Sequence, residues 1–295
     1  MQYIVNGVSL GAIYALFALG LSISWAGLNI LNLAHGTVFM VGALATWLLS
    51  ENLPGVSFAL VLPIAMVVCG LIGVAMEFLI FRQIRRRGAD ENQRTLTTVI
   101  ATVAMSSLLI AIAQQVTGGQ PRSLSPDLFE VTAYTVFGVL IMNIQIIIIV
   151  IAAVLSFAVA WFIKRGRQGQ ALRALSVDRD MAKMVGVSVD RLSLITMFGA
   201  GAMAGLAGVL LAVQVNAIEA HMGEALLFKA FAIIIIAGVG SIGATVAAAV
   251  SLALIETFVS AYWVSDLRDV VVFSLIIAFL LIRPQGISSK GWKRA

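Results

Sequence analysis

Residues 1–50 read MQYIVNGVSL GAIYALFALG LSISWAGLNI LNLAHGTVFM VGALATWLLS, without a single Asp, Glu, Lys or Arg. A water-soluble chain carries charge at roughly a quarter of its positions. Over all 295 residues, charged side chains here reach only 11% and hydrophobic ones 61%. The solvent of such a chain is a bilayer. Hydrocarbon forces every backbone polar group to be satisfied within the protein. Function must then reside in loops and in the few polar groups left among the apolar runs.

A spanning helix takes about 20 mostly apolar residues. Stretches of that kind fall near 3–24, 28–49, 57–81, 95–117, 136–163, 193–215, 226–240, 243–263 and 268–282. The pattern predicts an all-α integral membrane protein, a polytopic bundle of about 8–10 transmembrane helices with some segments broken or closely joined. Continuous runs of this length exclude a transmembrane barrel, whose strands alternate over about ten residues. Met1-Gln2-Tyr3 offers no basic region ahead of the first run, so that run reads as a helix rather than a cleaved signal peptide. The one cysteine, Cys69, lies inside the third run and has no partner for an intrachain disulfide. His35 and His221 are too few and too far apart in sequence to suggest a histidine metal cluster, and no HExxH is present.

The positive charge is concentrated. Of 19 Lys and Arg, five lie in 82–94, seven in 164–191 and four in 283–294. Short basic loops stay on the cytoplasmic side, which places Glu51, Asp127, Glu130, Glu219, Glu224, Asp266 and Asp269 in the opposite connections. Three runs before Arg82 put the N-terminus outside, and the last basic segment puts the C-terminus inside. The pI of about 9.7 therefore reports topology. The basic loops lack interleaved aromatics, which argues against nucleic acid as a partner.

Residues 1–295 read as one membrane domain, divided by the basic segment 164–191. Polar, Gly-containing interruptions near 26–36 and 237–244 suggest an internal repeat. Within 164–191, Asp178 can cap a short helix, Asp180 suits its first turn, Lys183 its last, and Gly186 its C′ position. Before it, Arg173 sits among Ala171, Leu172, Ala174 and Leu175. Small apolar side chains flanked by charge make a docking surface for another protein, or else a solvated connection.

Residues 238–243, Gly-Val-Gly-Ser-Ile-Gly, satisfy GxGxxG, but no alternating strand–helix pattern surrounds them and Glu256 falls inside an apolar run. A tight turn between two membrane helices is the better reading. The interruption Asn29-Ile30-Leu31-Asn32-Leu33-Ala34-His35-Gly36 carries more weight. Asn and His in hydrocarbon need partners, and Gly27 and Gly36 allow the helix to unwind there. Asn29, Asn32 and His35 line a substrate path on one reading and supply interhelical hydrogen bonds on the other. Glu77 can snorkel towards Arg82. Glu256 and Lys229 are either pathway residues or a buried structural pair.

Several blocks now agree with one family. Asn32-Leu33-Ala34-His35-Gly36 resembles the Asn-x-Ala-His-Gly of branched-chain amino acid ABC transporter permeases. Gly169-Gln170-Ala171-Leu172-Arg173-Ala174, continuing to Asp178, Ala182 and Gly186-Val187, resembles their cytoplasmic coupling loop. Gly238 to Ala244 and Arg283-Pro284-Gln285-Gly286 resemble their later Gly-rich turn and C-terminal signature. The resemblance implies the first, shorter permease type of a high-affinity importer in a bacterial inner membrane. It would work with two cytoplasmic ABC ATPase subunits docked on 169–187, a second homologous permease and a periplasmic solute-binding protein. It also implies that the coupling surface includes Gly169, Arg173, Asp178, Ala182 and Gly186, while the candidate pathway residues remain those read from the polar positions themselves, Asn29, Asn32, His35 and Glu256. The sequence has no GxxxxGK[ST], so ATP and Mg²⁺ belong to the partner ATPases and no cofactor or catalytic residue to this chain. Close relatives move urea or short amides, which leaves that cargo open. An ion-coupled transporter would need more intramembrane acids than Glu77 and Glu256. An intramembrane enzyme would need a nucleophile and base beside His35.

Overall fold

The computed structural model describes residues 1–53, 55–86, 91–136, 138–262, 268–283 and 286–287, without the side chains of residues 91, 136, 179, 180, 268, 269, 275 and 280. Asp266, Pro284, Gln285 and the basic residues beyond 287, together with the side chains of Asp180 and Asp269, lie outside that description.

The apolar runs become helices. They are α1 (Gln2–Leu28), α2 (His35–Asn52), α3 (Phe58–Met76), which continues through a π-helical turn (Glu77–Phe81) into α4 (Arg82–Arg86), α5 (Glu91–Thr117), α6 (Asn143–Arg165), α9 (Val189–Val215), α10 (Met222–Ala237), α11 (Ile242–Tyr262) and α12 (Arg268–Ile282). Between α6 and α9 lie two short helices, α7 (Arg167–Val177) and α8 (Arg179–Met184). Among the described residues, six helices are long and apolar enough to cross a membrane: α1, α3–α4, α5, α6, α9 and α11. The chain is a multi-pass membrane protein. The shorter α2, α10 and α12 occupy the remaining expected runs.

One expected run begins differently. The start of that run belongs to a hairpin, β1 (Ala133–Val136) antiparallel to β2 (Val139–Met142), and α6 starts only at Asn143. Val-Leu-Ile-Met is as apolar as a helix segment, but Gly138 at φ 77° turns the chain back.

An internal repeat exists, in a register other than the one the sequence suggests. Helices α1 and α9 have 27 residues each. Each ends on an asparagine in the left-handed region, Asn29 at φ 54° and Asn216 at φ 52°. A six-residue connection follows each, 29–34 and 216–221, and then a short helix opening on His35-Gly36 or Met222-Gly223. The break at 29–34 therefore corresponds to 216–221, whereas the glycine turn at 238–241 corresponds to the α2–α3 connection. Helices α1 and α9 run antiparallel, with Ser9 beside Gln214 and Gly20 beside Ala200. Helix α1 packs mainly on α11 and α9 mainly on α3. This is inverted-topology repetition. Its two halves meet where Gly36 and Gly223 touch backbone to backbone, with no room for a Cβ on either. Lipid supplies no hydrophobic drive between helices, so association relies on such close contact.

Basic groups gather at one end of the bundle, where Arg82 reaches Asp190 at 2.9 Å and Leu172 of α7 fills the space over Gly27. The other end is closed by the pairing of Arg122 with Ile218, by Leu124 N donating to Asn216 Oδ1 at 3.1 Å, and by Gln114 donating to His221 at 3.1 Å.

Candidate functional site

The break between α1 and α2 is shaped by its own polar atoms. Asn29 is exposed, and its N–H bonds Trp25 O at 2.9 Å, ending α1 in the left-handed cap that asparagine tolerates. Asn32 is buried; its Oδ1 accepts from Ala34 N at 3.1 Å and its carbonyl from His35 N at 3.3 Å. His35 opens α2, its Nε2 donating to Phe17 O at 3.2 Å and its ring lying 4.7 Å from that of Phe17. Asn32 and His35 are thus brought together inside the bundle, and Asn29 stands apart at the rim. Neither Gly27 nor Gly36 unwinds the helix as the sequence suggests. Both serve close packing, under Leu172 and Gly223 respectively, and the left-handed residue is Asn29.

Glu256 is separate from this break and joined to it through α10. Its Oε1 accepts from Lys229 Nζ at 2.8 Å and its Oε2 from Tyr14 OH at 3.0 Å. Lys229 is 4% exposed and Glu256 1%. The geometry follows from helix direction. Cβ bonds tilt toward a helix's N-terminus, so on the antiparallel α1 and α11 the side chains of Tyr14 and Glu256 lean toward each other. Lys229 closes the group from α10, 5.8 Å above the Tyr14 ring. The buried-pair reading of these residues describes the structure. Tyr14 is not singled out by the sequence; its only signal there is a phenol inside an uncharged span.

The basic connection folds as its residues dictate. Met181 N donates to Asp178 Oδ1 at 2.9 Å, the N-cap bond. At the other end Gly186 sits at φ 87°. Its N–H reaches Lys183 O at 3.0 Å, and Val187 N reaches Ala182 O at 3.0 Å, the paired bonds of a Schellman cap. Helix α7 carries Gly169, pressed onto the backbone of Phe162 and Ile163, and Arg173, whose Nη2 reaches Lys164 O at 3.4 Å. Leu172 and Leu175 are buried. The two short helices leave Val177, Met181, Met184 and Val185 exposed, the last two at about 80%.

Nearby, the π turn places the fully buried Glu77 against Arg85 rather than the expected Arg82. Arg85 Nη1 donates to Glu77 Oε2 and to Ser193 Oγ, both at 3.2 Å, and its Nη2 reaches Glu77 Oε1 and Asp190. Arg82 pairs with Asp190 instead. An α-helical Glu77 would face another direction; the widened turn re-aims it. Arg85→Ala strands a buried carboxylate and is expected to cost about 3–5 kcal/mol, read as a lower detergent unfolding midpoint, whereas Arg82→Ala, in a pair that is partly open to solvent, costs under about 1 kcal/mol.

Among the described residues no group of three or more His, Cys, Asp or Glu is placed to hold a metal ion. A sequence model described as the permease component of the branched-chain amino acid transport system matches residues 3–280. The high-affinity branched-chain amino acid transport system permease protein LivH of Escherichia coli K12 is 30% identical, across 97% of this chain and 94% of that protein. The corresponding protein BraD of Pseudomonas aeruginosa is 30% identical across 97% and 95%. A probable branched-chain amino acid transport permease, LivH of Methanocaldococcus jannaschii, is 25% identical across 95% and 89%. No solved structure matches the chain.

Proposed function

The chain belongs to the branched-chain amino acid transport permease family, and from that premise we propose that it is the membrane-spanning subunit of an ATP-driven importer of branched-chain amino acids. Separate ATPases bind at α7–α8, a second permease completes the path, and a solute-binding protein delivers cargo at the opposite end. The observation that carries this reading is the capped α8 with its exposed Met181, Met184 and Val185. Contiguous apolar side chains held outside the bundle by two caps mark a protein contact. The adjoining α7 transmits force because Leu172 is seated over Gly27, two residues before the break at Asn29.

The basic end then faces the cytoplasm of a bacterial inner membrane, with the N-terminus outside and the C-terminus inside. Residues 1–295 act as one permease domain. Gly169, Arg173, Asp178, Ala182 and Gly186 shape the coupling surface. Asn32 and His35 form the wall of the path at the junction of the two repeats, with Asn29 at its cytoplasmic rim, and Glu256 fixes α10 beside it. Rigid rocking of one half against the other about Gly36 and Gly223 gives alternating access.

Reconstitution with the ATPases, second permease and binding protein tests this directly. Import of labelled leucine should require ATP and exceed import of urea. Import of leucine without the ATPases, or of urea alone, would sink the reading. His35→Ala removes the bond to Phe17 O and should lower import at least tenfold while the ATPases still co-purify. Full import would leave His35 a packing residue.

A further inference from the structure

A groove of about 850 Å³ opens at the basic end, between α6, α7 and the start of α11. Its upper wall holds Lys164, Arg173 and Ser241; its lower wall holds Phe157, Ala160 and Val246. Among the described residues no acidic side chain lines it. Among those residues, too, neither Lys164 nor Arg173 has a carboxylate within ion-pair distance, and Arg173 reaches only the carbonyl of Lys164. The 21-residue helix α11 begins at Ile242, and Ser241, Ile242 and Gly243 at its start line the same space. Open space lies beside Gly243, where a Cβ would meet nothing within 4 Å.

Two such cations and a helix N-terminus select an anion. The wall below them selects its attachment. Phe157 (73% exposed), Ala160 and Val246 lie on spanning helices, beyond the reach of a water-soluble protein docked on α8. We propose that this groove seats an anionic phospholipid of the basic-side leaflet, its phosphate between Lys164, Arg173 and the Ser241–Gly243 turn, and an acyl chain along Phe157, Ala160 and Val246. Clustered Lys and Arg between membrane helices are the expected headgroup site. The lipid ties α7 to the α10–α11 turn, and so ties the ATPase-facing helix to the half of the repeat that carries Lys229.

The test is retention of lipid by the assembled importer, purified from nanodiscs containing equal phosphatidylglycerol and phosphatidylcholine and read by native mass spectrometry. Each nearby cation contributes roughly fivefold. The wild type should therefore retain phosphatidylglycerol about 25-fold over phosphatidylcholine at this site. Lys164→Gln/Arg173→Gln should lose most of that preference, and Lys164→Arg should keep it. Val246→Trp, which fills the apolar wall, should lower retention of phosphatidylglycerol while leaving both cations in place. Excess inorganic phosphate should not displace the lipid. Equal retention by the double glutamine variant overturns the proposal, as does no preference between the lipids. Full displacement by free phosphate, or loss of the lipid when the second permease assembles, overturns it too.

Discussion

Lys229→Met is expected to destabilise the folded protein by about 3–5 kcal/mol, because it leaves the carboxylate of Glu256 buried without its cation. The pair is 2.8 Å apart and both members are almost fully enclosed. Tyr14 OH supplies one hydrogen bond, too little to replace a full charge. Glu256→Gln should cost a similar amount, since it strands the ammonium instead. The double variant Lys229→Met/Glu256→Gln should recover most of the loss, because a buried pair returns little net energy over neutral groups of similar volume. The amide oxygen that Glu256→Gln introduces still accepts from Tyr14. Unfolding in a graded series of detergent mixtures measures all three. Single variants within about 0.5 kcal/mol of wild type would show that the group is wetter than its packing indicates. A double variant as unstable as the singles would show that the charge itself is required. Such a result would return Glu256 to the path as a group that cargo or a moving helix engages.

Met184→Asp/Val185→Asp is expected to abolish ATP-driven import with the permease still inserted and folded. These residues make few contacts within the chain, so stability should change by less than about 0.5 kcal/mol. Buried at an interface with the ATPases, two such apolar side chains act as central contacts, and charging both should weaken association at least a hundredfold. Met184→Leu/Val185→Ile should keep binding. Co-purification of the ATPases from detergent reads the association, and leucine import reads the consequence. ATPases that remain bound to the Asp variant would move the docking surface elsewhere. Bound ATPases with lost import would instead assign α8 to transmission of force.

Much of the α7–α8 segment is legible in the order of its residues because its information is local. Asp178 and Gly186 lie eight positions apart, and a cap needs only the right side chain or the right φ at each end of one short helix. The π turn at Glu77 is not legible in that way. Arg82 and Arg85 are both within sequence reach of that carboxylate, and the choice depends on Asp190 and Ser193 arriving from α9. The hairpin at 133–142 is hidden for a related reason, since four apolar residues look alike as strand or helix until the turn at Gly138 pairs them. The repeat is visible as a suggestion and misaligned. Glycine-rich interruptions are conspicuous in a sequence, while the feature that defines the repeat is a left-handed asparagine after a 27-residue helix. Asparagine has no spacing signature there.

The sequence by itself determined that the chain lives in lipid and which connections carry the positive charge, because the cost of placing charge in hydrocarbon acts on each residue wherever it folds. It also determined the caps of α8, which involve neighbours along the chain. Only the tertiary structure decided that Tyr14, Lys229 and Glu256 form one group, although they come from α1, α10 and α11. It alone decided that Gly36 meets Gly223, and that Lys164 and Arg173 share a groove with the start of α11. Those outcomes depend on which helix faces come together. Without a hydrophobic drive between helices, that choice is made by close packing and paired polar groups, which one-dimensional order does not record.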